Sequence, residues 1–153
     1  MSQKKETIHV QRNKIAENIP VPWVRRVIAA TLSAEKSEKR FVSVLLTNNK
    51  EIRALNKKFL KHDYATDVIS FEPGSGFIVE KEADYLGDVV VSVDMAQFTA
   101  KDLDIPWREE LARYLVHGTL HLLGYDDHQP LARDKMAARQ EIILKKIFGG
   151  STR

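Results

Sequence analysis

Hydrophobic residues recur along this chain with two different periods, and each change of period marks an element. Glu6–Val10 alternates weakly, as an edge strand does. Pro20 or Pro22 then opens a helix whose apolar positions Trp23, Val27, Ile28 and Leu32 fall at helical spacing. Phe41–Thr47 returns to the strand period, with Val42, Val44 and Leu46 on one face. Asn48 with Glu51 reads as a capping box that starts the next helix. Its apolar stripe is Ile52, Leu55 and Phe59, while Lys50, Arg53, Lys57 and Lys61 line another side. Val68–Phe71 and Leu86–Val93 are predicted strands, separated by a loop holding Pro73, Gly74 and Gly76. Val89, Val90, Val91 and Val93 form a nearly unbroken run, which predicts a strand covered on both faces.

The remainder is helical. Asp94 is expected to cap a helix from Met95 to about Lys101, and Pro106 to start a long one that stops near Gly124. Pro130 opens the last helix, where Met136, Ile143 and Ile147 make a core stripe. No internal repeat, low-complexity tract or linker divides the chain. The expectation is a single α+β domain over residues 1–153, a small mixed sheet with helices packed against it.

Composition narrows the picture. A chain of 153 residues buries roughly two-thirds of its unfolded surface. Hydrophobic content of 43% and charged content of 29% suit an ordinary globular domain. No apolar run approaches the ~20 residues that span a bilayer, and Met1–Glu6 has no signal-peptide pattern, so no membrane partner is expected. Cysteine is absent, which excludes disulfides and thiolate metal sites and suits a reducing, cytoplasmic setting. A net charge of +3 is compatible with a nucleic-acid partner without specifying one.

The candidate chemistry lies in V-H-G-T-L-H-L-L-G-Y-D-D-H, which holds three of the five histidines: His117, His121 and His128. Residues four apart on a helix share a face, so His117 and His121 sit close enough to grip one cation. Gly124 is suited to a left-handed helix end, beyond which the chain can return His128 to the same ion. Three nitrogen ligands leave one position of a tetrahedral metal open, as in catalytic rather than structural sites. Imidazole ligands suit Zn²⁺ best, with nickel, copper or iron also compatible. Zinc lowers the pKa of a bound water to about 7, so the implied chemistry is hydrolysis. On the plainer reading, His117 and His121 are hydrogen-bonded neighbours and His128 caps the following helix.

Neighbouring residues bear on which bond is cleaved. Zinc peptidases of the H-E-x-x-H type need a glutamate beside the first histidine; Gly118 stands there and cannot transfer a proton. Glu110, two turns before His117 on the same helix face, is either a partner of the site or an ordinary ion-paired glutamate. Asp126 and Asp127 either orient an imidazole through its second nitrogen or only make the turn.

At these residues the chain resembles the YbeY family of bacterial metallo-endoribonucleases. The family hallmark H-G-x-L-H-L-x-G-Y-D-H is matched from His117 to Asp126. Thr66-Asp67-Val68-Ile69-Ser70-Phe71 resembles the family's T-D-V-L-S-F strand, and Gly87-Asp88-Val89-Val90-Val91-Ser92 its G-D-I-x-I-S. Leu55-Asn56 with Phe59 is similar to L-N-x-x-[YF]. The resemblance implies a zincin-like fold, a metal-dependent hydrolase domain, and one Zn²⁺ held by catalytic His117, His121 and His128. It also implies cleavage of single-stranded RNA in maturing the 3′ end of 16S rRNA and in ribosome quality control. The implied partners are rRNA, the ribosome and a small-subunit ribosomal protein.

Two positions depart from the pattern. Asp127 intervenes before His128, so an aspartate or water in the third ligand's place stays open. Leu60 stands where the family often carries an arginine suited to phosphate. Lys61 or His62 can reach the same space, and Lys57, Lys61 and His62 are the candidate RNA contacts within the basic set Lys50, Arg53, Lys57 and Lys61. Tyr64 and Tyr125 are candidates to stack on bases. Asp67 and Asp88, recurrent in the matched motifs, suit strand-end hydrogen bonding as well as active-site duty. The absent arginine favours an alternative, a metal-stabilised ribosome-assembly or RNA-binding factor with little or no turnover. A hydrolase of a peptide or small ester is a third reading, weakened by Gly118.

Overall fold

The computed structural model describes residues 8–73 and 84–149; the predicted loop glycines Gly74 and Gly76, and Glu6, lie outside them. The elements run β1 (Ile8–Arg12), α1 (Val21–Ala34), β2 (Phe41–Thr47), α2 (Asn49–Leu55), β3 (Val68–Phe71), β4 (Tyr85–Ser92), α3 (Val93–Leu103), α4 (Trp107–Leu122) and α5 (Pro130–Phe148). The four strands form one sheet in the order β1-β2-β4-β3. β1, β2 and β4 are parallel, and β3 joins the edge antiparallel to β4. The sheet is therefore mixed and the domain α+β, as the pattern predicts.

The valine run explains the middle of the sheet. Every residue of β4 is buried, because one face meets α4 and the other meets α2. The larger core packs Val42, Val44, Leu46, Val89 and Val91 under the buried stripes of α1, α4 and α5. A smaller cluster, Ile52, Ile69, Phe71 and Val90, closes the opposite face beneath α2. The predicted stripe of α5 holds: Met136 and Ile143 are buried, and Ile147 packs at their margin.

Local chemistry sets the element ends. Asn48 Oδ1 accepts the Glu51 amide at 2.8 Å, as the capping box requires. The predicted Asp94 cap is corrected: Ser92 caps α3 by accepting the Met95 amide, and the helix starts earlier, at Val93. Asp94 lies inside the first turn, where a carboxylate favours the helix dipole, and it accepts the Asn49 amide at 2.8 Å instead. α2 runs on into a widened turn over Asn56–Leu60, ended by Lys61 in the left-handed conformation. α4 ends with the Tyr125 amide donating back to Leu120 and with Gly124 at φ +107°, the turn expected after His121.

Gly87 sits where β4 leaves its pairing irregularity beside β2. Its φ is +139°, and a Cβ there would stand 2.2 Å from the Phe71 carbonyl oxygen of β3. Gly87→Ala should therefore cost about 3 kcal/mol or more. The expected outcome is a large drop in the urea midpoint, or loss of soluble protein; a midpoint equal to the parent's would contradict the close contact.

Candidate metal centre

α4 brings the two helical histidines to the β3 edge. His117, His121 and His128 open onto one cleft of about 480 Å³, together with Asp127. Its other walls are β3, through Val68 and Ser70, and the turn after α2, through Leu60, His62 and Tyr64. The helix lies close on the strands because position 118 carries no side chain. A Cβ on Gly118 would stand 2.6 Å from Val89 Cγ1 and 3.0 Å from Val68 Cγ2. Ser70 Oγ donates to the Gly118 carbonyl at 2.8 Å and ties strand to helix beside the histidines.

The His117 ring is aimed by a residue the periodicity of α4 does not reveal. Its Nδ1 lies 2.9 Å from Gln140 Oε1 on α5. Gln140 Nε2 donates to Glu141 Oε2, which settles the amide orientation and leaves Oε1 as an acceptor. Nδ1 is thus turned to α5, and Nε2 is the ring nitrogen left for the cleft. That Nε2 faces Asp127 Oδ2 at 3.6 Å. Two donor atoms so spaced can bind the same cation, so the chemistry of the site fits a metal. Among the described residues, the group of three whose ligand atoms lie within 4.8 Å of one another is Asp126, Asp127 and His128.

Both aspartates approach an imidazole nitrogen, and Asp126 also makes the turn. Asp126 Oδ1 accepts the His128 amide at 2.9 Å and makes the turn. Asp127 faces His117. His128 is the most exposed of the three histidines, its side chain 81% accessible and its Nε2 3.8 Å from Asp126. The loop that carries it is moored from a distance: Tyr125 Oη donates to Glu35 Oε1 at 2.9 Å, and Arg139 ion-pairs with the same carboxylate. Tyr125 is thereby engaged in structure, whereas Tyr64 is 55% exposed on the cleft wall.

Glu110 proves to be a buried ion-paired group. Arg113 binds Glu110 and Glu141 at 2.8 Å each and Glu109 at 3.1 Å, and these carboxylates hold its guanidinium charged. Through Glu141 and Gln140 this network continues to His117. Of the basic residues, Arg53 pairs with Asp63 at 2.8 Å and Lys57 approaches it at 3.9 Å. Lys57 and Lys61 are not among the residues that line the cleft; His62 is.

Asp67 stands just before β3 and accepts the Val68 amide at 2.7 Å. Asp88 points to the other face of the sheet, into a hollow of about 300 Å³ with His9, Gln11 and Ser43. Tyr85 Oη donates to it. Burial pushes its carboxyl up to about 6, and the Tyr85 hydrogen bond only partly offsets this.

Among the described residues, then, an α+β domain carries histidine and carboxylate donors at the edge of a mixed sheet. A family model described as endoribonuclease YbeY matches residues 3–148. The endoribonuclease YbeY of Brevibacillus brevis is 40% identical over 153 residues, covering 93% of this chain and 95% of that protein. That of Salinibacter ruber is 34% identical, covering 94% and 93%. A Thermotoga maritima protein solved in solution superposes with a TM-score of 0.65 at 23% identity, covering 94% of this chain and 90% of that one. The chain belongs to the endoribonuclease YbeY family.

Two outcomes follow from this geometry. Gln140→Ala frees the His117 ring and should weaken metal affinity about 10–100-fold, read by chelator competition, with little change in fold. Asp88 has a folded pKa above its unfolded value, so the unfolded state ionises first as pH rises. Its contribution to stability therefore falls between about pH 4 and pH 6 and stays low above that. Asp88→Asn should flatten this slope and raise the urea midpoint at pH 7, measured by urea unfolding across the range.

Proposed function

We propose that this protein is a metal-dependent endoribonuclease that cleaves single-stranded RNA during rRNA maturation. The observation that supports the reading is that His117, His121, His128 and Asp127 all line one cleft in a chain of this family. Relatives that match nearly their whole length carry the name endoribonuclease. No described helix is long and apolar enough to cross a membrane. The finer assignments are zinc as the one metal, action at the 3′ end of 16S rRNA, ribosome quality control, a small-subunit ribosomal protein as partner, and the cytoplasm as location.

His117, His121 and His128 would hold the cation, with Asp127 as a further or alternative donor. A divalent cation held there supplies charge stabilisation and a water acidified enough to ionise near neutral pH. The protein's own residues position the rest. Gln140 presents His117 Nε2 to the cleft, and Tyr125 with Asp126 sets the turn that carries His128. Arg53 and Lys57, though paired with Asp63, remain exposed beside the cleft entrance turn and draw in a polyanion through a salt-sensitive attraction. Gly118 has no side chain and packs against Val89, Val68 and Ser70, so position 118 has no part in proton transfer.

One observation favours the second reading, an RNA-binding assembly factor with little turnover. Leu60 lines the cleft where an arginine would meet a phosphate. The two readings separate on purified protein offered single-stranded and duplex RNA, with metal quantified in parallel. The expected result is about one equivalent of metal, cleavage of the single strand that chelator abolishes, and a loss of about 100-fold or more in His117→Ala and His121→Ala. Tight RNA binding that survives chelation, with no product, would select the assembly factor instead.

A further inference from the structure

The cleft wall opposite the histidines has a composition unusual for a surface that handles a polyanion. Among the described residues no lysine or arginine lines the cleft. The turn after α2 instead presents Leu60, His62 and Tyr64, all exposed. The His62 and Tyr64 rings stack at 5.4 Å between centroids and 21° between planes, and Tyr64 Oη lies 2.9 Å from His62 Nδ1.

This exposed pair is held in place from beneath. The His62 amide donates to the Asn56 carbonyl at 3.2 Å, and Asn56 Nδ2 donates to the Tyr64 carbonyl at 3.0 Å. Asn56 is itself buried, at 2% exposure. Asp63, between them in sequence, is pinned by Arg53 at 2.8 Å. The turn begins with the widened helical turn Asn56–Leu60 and the left-handed Lys61, backbone states that cluster where structure serves a function. A rigid, exposed aromatic surface beside a catalytic cleft is the physical requirement for stacking a flat ring.

The geometry points to the Leu60–His62–Tyr64 wall as a nucleobase platform, on which an unpaired base of the RNA strand stacks to set its phosphate before the histidines. The inference rests on the endoribonuclease reading and adds how the strand is held. Where an arginine would grip the phosphate, this chain holds the base beside it. Stacking is indifferent to base identity, because every base offers a π-face, but it requires an unpaired base. A paired base in a duplex already has both faces covered. The platform therefore supplies selection for single strands without sequence readout.

The test is a double-mutant cycle between protein and strand. End-labelled single-stranded oligoribonucleotides, one intact and a series with one abasic nucleotide moved along the chain, are titrated into wild type, Tyr64→Ala and Tyr64→Trp. Binding is read by anisotropy, and kcat and KM by product formation. Tyr64→Ala should bind the intact strand about 5- to 100-fold more weakly, and Tyr64→Trp as well as wild type or better. One abasic position should weaken wild type by a similar factor and leave Tyr64→Ala unaffected. Equal binding by Tyr64→Ala, or abasic losses that add to the mutation at every position, would overturn the platform while wild-type cleavage leaves the nuclease reading standing. Wild type that neither cleaves nor binds RNA overturns both. Should Tyr64→Ala unfold, Tyr64→Leu runs the same cycle.

Discussion

The approach of one helix to the sheet governs the rest of this structure. α4 lies against β3 and β4 because Gly118 offers no Cβ to the facing valines, and both valines are stiff β-branched residues with little freedom to yield. Its neighbour His117 is thereby delivered to the sheet edge, and His121 follows one turn on. The same contact disposes of the peptidase alternative on steric as well as chemical grounds. A glutamate at position 118 would be driven into Val89, Val68 and Ser70, where its side chain has no room.

A second layer of contacts gives the donors their aim. His117 leads through Gln140 and Glu141 to the buried Arg113, which gathers three carboxylates at the junction of α4 and α5. Burying such charges gives little net stability, since desolvation offsets most of the attraction. Their effect is directional: α5 is fixed in register against α4, and Gln140 arrives opposite the ring it must orient. The Glu35 carboxylate does comparable service at the other end by holding Tyr125 and Arg139 together.

Much of the fold was legible in one dimension. The strands Phe41–Thr47 and Val68–Phe71 follow directly from alternation, and the unbroken valines announced that β4 would be covered twice. Asp94 misled because two capping residues stand near one helix start, and the strand geometry lets Ser92 reach the free amide first. Of the candidate site, the histidine spacing and the Gly124 turn were readable because both are local. Gln140 was not, being 23 residues from its partner in the chain. It nonetheless left a trace, as a polar residue between Met136 and Ile143 at the point where the helical period faces the core. The surroundings of Asp126 and Asp127 could be told apart only in three dimensions, since both closely precede His128 and only Asp127 turns toward His117.

The candidate donors all come from a single stretch of twelve residues, 117–128, yet the groups that steer them come from Glu35 at the end of α1 and Gln140 on α5. Excised as a peptide, that stretch would keep every ligand atom and lose its bearings. The aim of the donors is therefore set by the tertiary structure and not by the stretch that carries them. Loosening α1 or α5, however far from the cleft in sequence, would be felt as a loss of aim in His117 and in the turn after Tyr125.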